Sequence, residues 1–144
     1  MRYMTVKDRG FTLIELMIVV VILGVIIAIA YPSYARWAVQ VRRSDAQRVL
    51  TTIAARQEKR LSECAVYTTS FTGNITNCAT GGLGMASSFS PDGHYVVTLT
   101  TPTTTSFSAS AAPVSGGLQT RDTKCPTVTL TSLGQKGPYT YCWK

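Results

Sequence analysis

An apolar run of 21 residues, 11–31, carries a single carboxylate, Glu15, and this constrains the chain more than any other feature. A run of that length can cross a bilayer as a helix. A carboxylate costs roughly 2.5–3.5 kcal/mol at the centre of such a helix and less near its start, where Glu15 lies, and an ionisable residue kept there is functional by default. Before the run stands a short basic segment with Arg2, Lys7 and Arg9, closed by Gly10 and followed by Phe11. Gly24 interrupts the run, which membrane helices tolerate. Pro32 removes a backbone donor and is expected to kink the helix rather than end it, because a helical pattern resumes after it.

Two plain readings of this segment are weaker. A conventional secretory signal places a small-residue cleavage site after its apolar stretch, and only Ala28-Ile29-Ala30 offers one. A simple anchor needs neither the glutamate nor the glycine–aromatic junction. The ordered set Gly10-Phe11-Thr12-Leu13-Ile14-Glu15, leading into the apolar run, resembles instead the class III signal of type IV prepilins. The resemblance implies a leader over residues 1–10, cleavage between Gly10 and Phe11 by a prepilin peptidase, and N-methylation of Phe11 by its methyltransferase activity. It further implies that Glu15 docks a new subunit by pairing with the Phe11 amine of a neighbour. Pseudopilins of type II secretion share the signal, so it points to the superfamily rather than to one machine.

The chain has 144 residues, and about 80 of them follow the helical region. That suffices for one small domain with a modest core that covalent staples would help. Four cysteines behind an export signal, Cys64, Cys78, Cys125 and Cys142, read as two disulfides in an oxidising compartment. The four allow three pairings and sequence alone does not select one, although loop geometry favours the neighbours 64–78 and 125–142. Each such loop would contribute roughly 3 kcal/mol by chain entropy. The positive-inside rule is indecisive, because Arg36, Arg42 and Arg43 follow the span as closely as the leader cations precede it. The cysteines place the head on the periplasmic side of an inner membrane. The prepilin resemblance then carries the subunit to an extracellular pilus of a Gram-negative bacterium.

Net charge is +7. Arg36, Arg42, Arg43, Arg48, Arg56, Lys59 and Arg60 fall on one predicted helix beside Asp45, Glu58 and Glu63, whereas Arg121, Lys124, Lys136 and Lys144 are the cations after Cys64. Basic patches bind nucleic acid or anionic lipid. A solvated and packed stalk face is the preferred reading of the helical cations.

The sequence predicts an α+β pilin fold: a long N-terminal helix, hydrophobic over 11–32 and amphipathic over 33–63, packed on a small antiparallel sheet in a disulfide-stapled head over 64–144. The helix would be roughly 75 Å long. Ala46, Val49, Leu50, Ile53, Ala54 and Leu61 recur at spacings of three and four and form its apolar stripe. Residues 67–88, rich in Thr, Gly, Asn and Ser, read as a loop. Alternation predicts strands over 95–100, 106–112 (ended by Pro113) and 127–131. Turns are expected at 91–93, 116–117 and 134–138, and the threonine tract at 100–105 as a connection between strands.

A second resemblance covers the C-terminal half. Phe107-x-Ala109, Ala112-Pro113, Gln119, Asp122, Cys125, Val128-x-Leu130, Gly134 and Cys142-Trp143 resemble the small minor pilins of the type IVa pilus. The resemblance implies a structural subunit, needed for pilus assembly and so for adhesion or twitching motility, whose partners are other pilin subunits. Alternatives are a DNA-binding pilin of the competence machinery and a pseudopilin. For the first, Tyr139, Tyr141 and Trp143 near Lys136 and Lys144 suit backbone contact and base stacking, although packing against the disulfide is the preferred reading of those aromatics. No Ser-His-Asp set, acid pair or phosphate-binding glycine loop is present, and His94, read as exposed beside a turn, is the single histidine. We therefore expect no catalytic residues, no metal site, no cofactor and no small-molecule substrate.

Overall fold

The computed structural model describes residues 10–144. The expected leader lies outside the described residues except for Gly10. One helix, α1 (Leu13–Cys64), runs 52 residues with Pro32 inside it. Four strands follow: β1 (Tyr95–Thr103), β2 (Ser106–Pro113), β3 (Val128–Thr131) and β4 (Lys136–Gly137), with short 3-10 turns at Leu118–Arg121 and Thr140–Trp143. They form one antiparallel sheet in the order β1-β2-β3-β4. The chain divides into two compact units, one up to Trp37 and one of Ala38–Lys144.

In the first unit α1 contributes residues 13–37, and every side chain there is exposed. The stretch is long and apolar enough to cross a membrane. Thr12 begins the helix: its hydroxyl accepts a hydrogen bond from the Glu15 N–H at 3.3 Å, which satisfies one of the unpaired donors of the first turn.

In the second unit the core lies between α1 and one face of the sheet. Ala46, Val49, Leu50 and Ile53 are fully or almost fully buried, and Ala54 packs at the margin. Opposite them stand Tyr95, Val97 and Leu99 of β1, Phe107, Ala109 and Ala111 of β2, and Val128 and Leu130 of β3. Period-two alternation puts these residues on one face and leaves Thr98, Ser108, Ser110 and Thr129 on the other. The register sets Ala109 between Leu99 and Leu130, and Ala111 between Val97 and Val128. Small residues on the middle strand thus sit between larger ones on its neighbours.

The helical stripe does not stop where its apolar residues do. Gln57 and Arg60, at the next spacings of four and three, are as buried as the leucines. They hold the long segment after Cys64, which has no strand or helix of its own before the bridge Phe89–Val96. Gln57 donates to the Thr68 carbonyl at 2.6 Å and accepts from the Thr68 N–H at 3.1 Å. Arg60 donates to the carbonyls of Ile75, Asn77 and Cys78, and Arg56 to those of Leu83 and Gly84. The Cys64–Cys78 disulfide closes the same segment. A Cβ on Gly82 would stand 1.9 Å from the Thr72 carbonyl oxygen, so the chain folds back on itself too closely there for any side chain.

Several expectations need correction. β1 runs on to Thr103, so most of the threonine tract is strand and only residues 104–105 turn. β2 includes Pro113, and β3 begins at Val128. The region read as a turn at 134–138 contains β4, which pairs Gly137 with Thr129. His94 is half-buried.

Candidate functional site

Two places can carry function: the segment at the start of α1 and the cysteine-closed C-terminal surface. In the first, Gly10 and Phe11 are exposed ahead of the helix, and Glu15 is the acidic residue of its first turn. Thr12-x-x-Glu15 has the spacing of a capping box, and the Thr12 half of it is formed. A carboxylate in the first turn also meets the positive end of the helix dipole. Sequence reasoning assigned Glu15 wholly to contacts between subunits and missed this local role. The signal was there, a threonine three residues before a glutamate at the head of an apolar run.

The second place is built outward from Asp122. Its carboxylate accepts two hydrogen bonds from the Arg43 guanidinium, at 2.5 and 2.7 Å, one from the Cys125 N–H at 3.2 Å and one from the Gln119 amide at 3.3 Å. Gln119 also donates to the Val39 carbonyl of α1 at 3.1 Å. The spacing Gln119-x-x-Asp122-x-x-Cys125 therefore fastens the entry of the C-terminal loop to the helix. Both Arg43 and Asp122 are buried, and the hydrogen bonds that Arg43 donates to Asp122 hold its guanidinium above its ordinary pKa. Removing either partner would strand a buried charge. Tyr95 lies under this cluster, and burial pushes its phenol up to about 12.

The Cys125–Cys142 disulfide closes the loop with an S–S distance of 2.00 Å. Gln47 of α1 donates to the Cys142 carbonyl at 3.1 Å, so the loop is fixed to the helix at its exit as well. On the opposite flank Asp45 accepts from the Ser90 hydroxyl and from the N–H groups of Asp92 and His94, which ties the turn at 91–93 to the helix.

These contacts bear out the packed part of the expected stalk face, while Arg36, Arg48 and Lys59 are exposed as its solvated part. Arg43, Arg56 and Arg60 are bound to a carboxylate or to backbone carbonyls, and Arg48 lies 3.6 Å from Asp92 in an exposed pair. The loop aromatics divide. Trp143 packs at the core margin, donates to the Gly137 carbonyl at 3.0 Å and lies 5.1 Å beneath the Lys136 ammonium. Tyr139 and Tyr141 remain 55% and 45% exposed and stack on each other at 5.1 Å and 9°. Among the described residues no group of three His, Cys, Asp or Glu side chains is placed to hold a metal.

This architecture, an exposed apolar helix leading into a disulfide-closed α+β head, is that of a pilin. The family model described as type IV minor pilin ComP, DNA uptake sequence receptor, matches residues 32–129, and that of the prokaryotic N-terminal methylation motif matches residues 6–31. The chain belongs to this family of type IV minor pilins. It is 42% identical over 57 residues to the type IV major pilin protein PilA of Myxococcus xanthus, covering 40% of this chain and 26% of the relative. It is 33% identical over 93 residues to a fimbrial protein of Neisseria meningitidis, covering 65% and 49%. With the type IV major fimbrial protein FimA of Dichelobacter nodosus it shares 50% over 44 residues, covering 31% and 26%. The chain thus spans between a quarter and a half of the length of these relatives.

Proposed function

We propose that this chain is a minor structural subunit of a type IV pilus, cleaved after Gly10, N-methylated at Phe11 and held by its apolar helix first in the inner membrane and then among the helices of a filament. The observation that carries the reading is the complete exposure of α1 over residues 13–37. Burying one large aliphatic side chain is worth about 1.5–3 kcal/mol, so a stretch of this length is stable only in an apolar surrounding that the chain itself does not supply. Lipid and a bundle of identical helices are two such surroundings, and transfer from one to the other needs no catalyst within the subunit. In the bundle the Phe11 amine of one subunit pairs with Glu15 of the next, which makes the docked state better than an unpaired carboxylate in a low dielectric. Mass spectrometry of the subunit recovered from sheared filaments tests this. The expected N-terminus is Phe11 with one added methyl group. A mature chain beginning near Tyr31 overturns the reading.

A second reading has its own support. The matched family model is described as a DNA uptake sequence receptor. After Pro113 every exposed charged side chain is a cation, Arg121, Lys124, Lys136 or Lys144, because Asp122 is buried under Arg43. A subunit that binds DNA through this head would leave pilus number unchanged on deletion while abolishing DNA uptake. A subunit with a purely structural role would lower pilus number first.

A further inference from the structure

We infer that Tyr31, Tyr34, Arg36 and Trp37 form an anchor for the headgroup layer of a phospholipid bilayer, with the three rings at the boundary between acyl chains and headgroups and the Arg36 guanidinium meeting lipid phosphate. The inference rests on the reading above that the apolar helix first lies in the inner membrane. It adds to that reading the residues that fix the depth of the span.

Three observations lead to it. The first is length. From Leu13 to Tyr31 the helix rises roughly 27 Å at 1.5 Å per residue, and the hydrocarbon core of a bilayer is about 30 Å thick. A span that begins at one boundary therefore reaches the other at Tyr31. The second is composition at that point. All three aromatic residues of the 52-residue helix α1 fall within positions 31–37, and between Ile29 and Val39 no aliphatic side chain is larger than that of alanine. The rings recur at every third residue, so they cover roughly 9 Å of the helix axis, comparable with one headgroup layer. A tyrosine or tryptophan ring is apolar with one polar tip, and this boundary offers acyl chains to the ring and hydrogen-bonding headgroups to the tip. The third is exposure. Tyr31, Tyr34 and Trp37 are 69%, 64% and 57% exposed, and the rings of Tyr34 and Trp37 stand 5.9 Å apart. Arg36 is exposed and belongs to neither ion pair found among the described residues, whereas Arg43, Arg56 and Arg60 are bound within the head. A bundle of aliphatic helices would accept the rings, but it offers an arginine no phosphate. Basic side chains beside a bilayer are drawn to anionic lipid, so the headgroup layer is the occupant that suits the whole set.

The test uses the full-length chain reconstituted in vesicles of phosphatidylethanolamine and phosphatidylglycerol. Trp143→Phe leaves Trp37 as the single tryptophan, and intact disulfides, read by mass, control for folding of the head. If that variant does not fold, the difference in emission between the unaltered chain and Trp37→Leu carries the same signal. Trp37 emission should be shifted to the blue of tryptophan in water, and lipid brominated near the headgroup should quench it more than lipid brominated near the end of the acyl chain. Brominated phosphatidylglycerol should quench more than brominated phosphatidylethanolamine at equal fraction, and Arg36→Gln should remove that excess. Tyr31→Leu/Tyr34→Leu should shift the quenching toward the deeper bromine, because leucines prefer the hydrocarbon. Emission as in water without quenching, from a chain that resists alkaline carbonate extraction, overturns the inference and leaves the membrane reading standing. Stronger quenching by the deeper bromine in the Trp143→Phe chain also overturns it, because residue 37 would then lie within the hydrocarbon. Equal quenching by the two lipid classes overturns the phosphate contact of Arg36, and an unchanged profile in Tyr31→Leu/Tyr34→Leu overturns the part given to the tyrosines. Release of the unaltered chain by carbonate overturns the membrane reading itself.

Discussion

One helix serves two regions that solve the same problem in different ways. Over residues 13–37 α1 exposes every side chain, although most are aliphatic. From Ala38 it buries Ala46, Val49, Leu50 and Ile53 against the sheet, and its polar residues Arg43, Gln57 and Arg60 are buried with them. The first region has apolar surface and no partner within the chain. The second is so fully provided with partners that its buried charged residues, Arg43, Asp45 and Arg60, are hydrogen-bonded inside the head. A helix that is apolar all round belongs in lipid or in a bundle, and one with a single stripe belongs on a sheet. The contrast teaches that incompleteness, more than any particular side chain, is the functional property of the N-terminal region.

The largest effect should come from separating the two regions. A chain that begins at Ala38 keeps every residue of the core and loses the exposed apolar stretch. It is expected to stay in detergent-free buffer and to melt cooperatively, whereas the full chain sediments with membranes. Aggregation of the shortened chain would show that the head depends on the first region for its stability and would break the comparison.

Next comes Arg43→Ala. It leaves the buried Asp122 carboxylate with only the Gln119 and Cys125 donors, and should cost about 3–5 kcal/mol of head stability. In a domain of about 100 residues this is a fall in melting temperature of roughly 15–30 °C. The double change Arg43→Met/Asp122→Leu should recover most of that, because it removes both charges together. Cys125→Ser follows at about 3 kcal/mol, the entropy of a loop with a sequence separation of 17. Circular dichroism in the presence and absence of reductant measures it, and an unchanged melt would mean that Gln47, Gln119 and Asp122 hold the loop unaided.

Alkaline pH gives a smaller effect. Folded Tyr95 keeps its proton to about 12, while an unfolded tyrosine loses it near 10.0. A raised folded pKa leaves stability intact below the unfolded value and takes it away as pH rises through the folded one. Stability should therefore fall between about pH 10 and pH 12, by roughly 2–3 kcal/mol at most. Tyr95→Phe should flatten that part of the profile. An equally steep fall in the variant would assign the loss to the lysines instead.

Much of this fold is legible in the sequence, and the exceptions share a cause. The apolar run, the helical stripe and the three longer strands are periodic, and periodicity can be read without tertiary context. β4 is two residues long and holds Gly137, so no alternation can show it, and it is recognised as strand by its pairing with Thr129. The continuation of β1 to Thr103 was hidden by Pro102, which breaks a central strand but is tolerated on an edge, and β1 is an edge strand. Gln57 and Arg60 obey the stripe's spacing but are polar, so they read as solvent-facing until the carbonyls of residues 68–78 are seen to need donors. At the candidate site the cations and tyrosines could be named from the sequence. Which of them the fold consumes depends on Asp122 and on the loop carbonyls, and no local pattern encodes that.

Glu15→Val is expected to leave head stability unchanged, because Glu15 lies outside the unit that contains the core. The local account of Glu15, as the first-turn acid beside the Thr12 cap, predicts at most the loss of a few tenths of a kcal/mol to about 1 kcal/mol of helix stability. Removing a carboxylate from an apolar run should leave membrane insertion intact or improve it. The assembly account predicts something different: normal recovery in the membrane fraction and poor recovery in sheared filaments, since the Phe11 amine of the neighbouring subunit loses its partner. Glu15→Gln separates the two accounts further, because an amide keeps hydrogen-bonding capacity for the helix start and loses the charge. Filament entry by Glu15→Gln at the unaltered level would assign Glu15 to the cap. Failure of both variants to enter filaments, with both found in the membrane, would assign it to contact between subunits. In that case the one charged residue of the apolar run takes its partner from another chain.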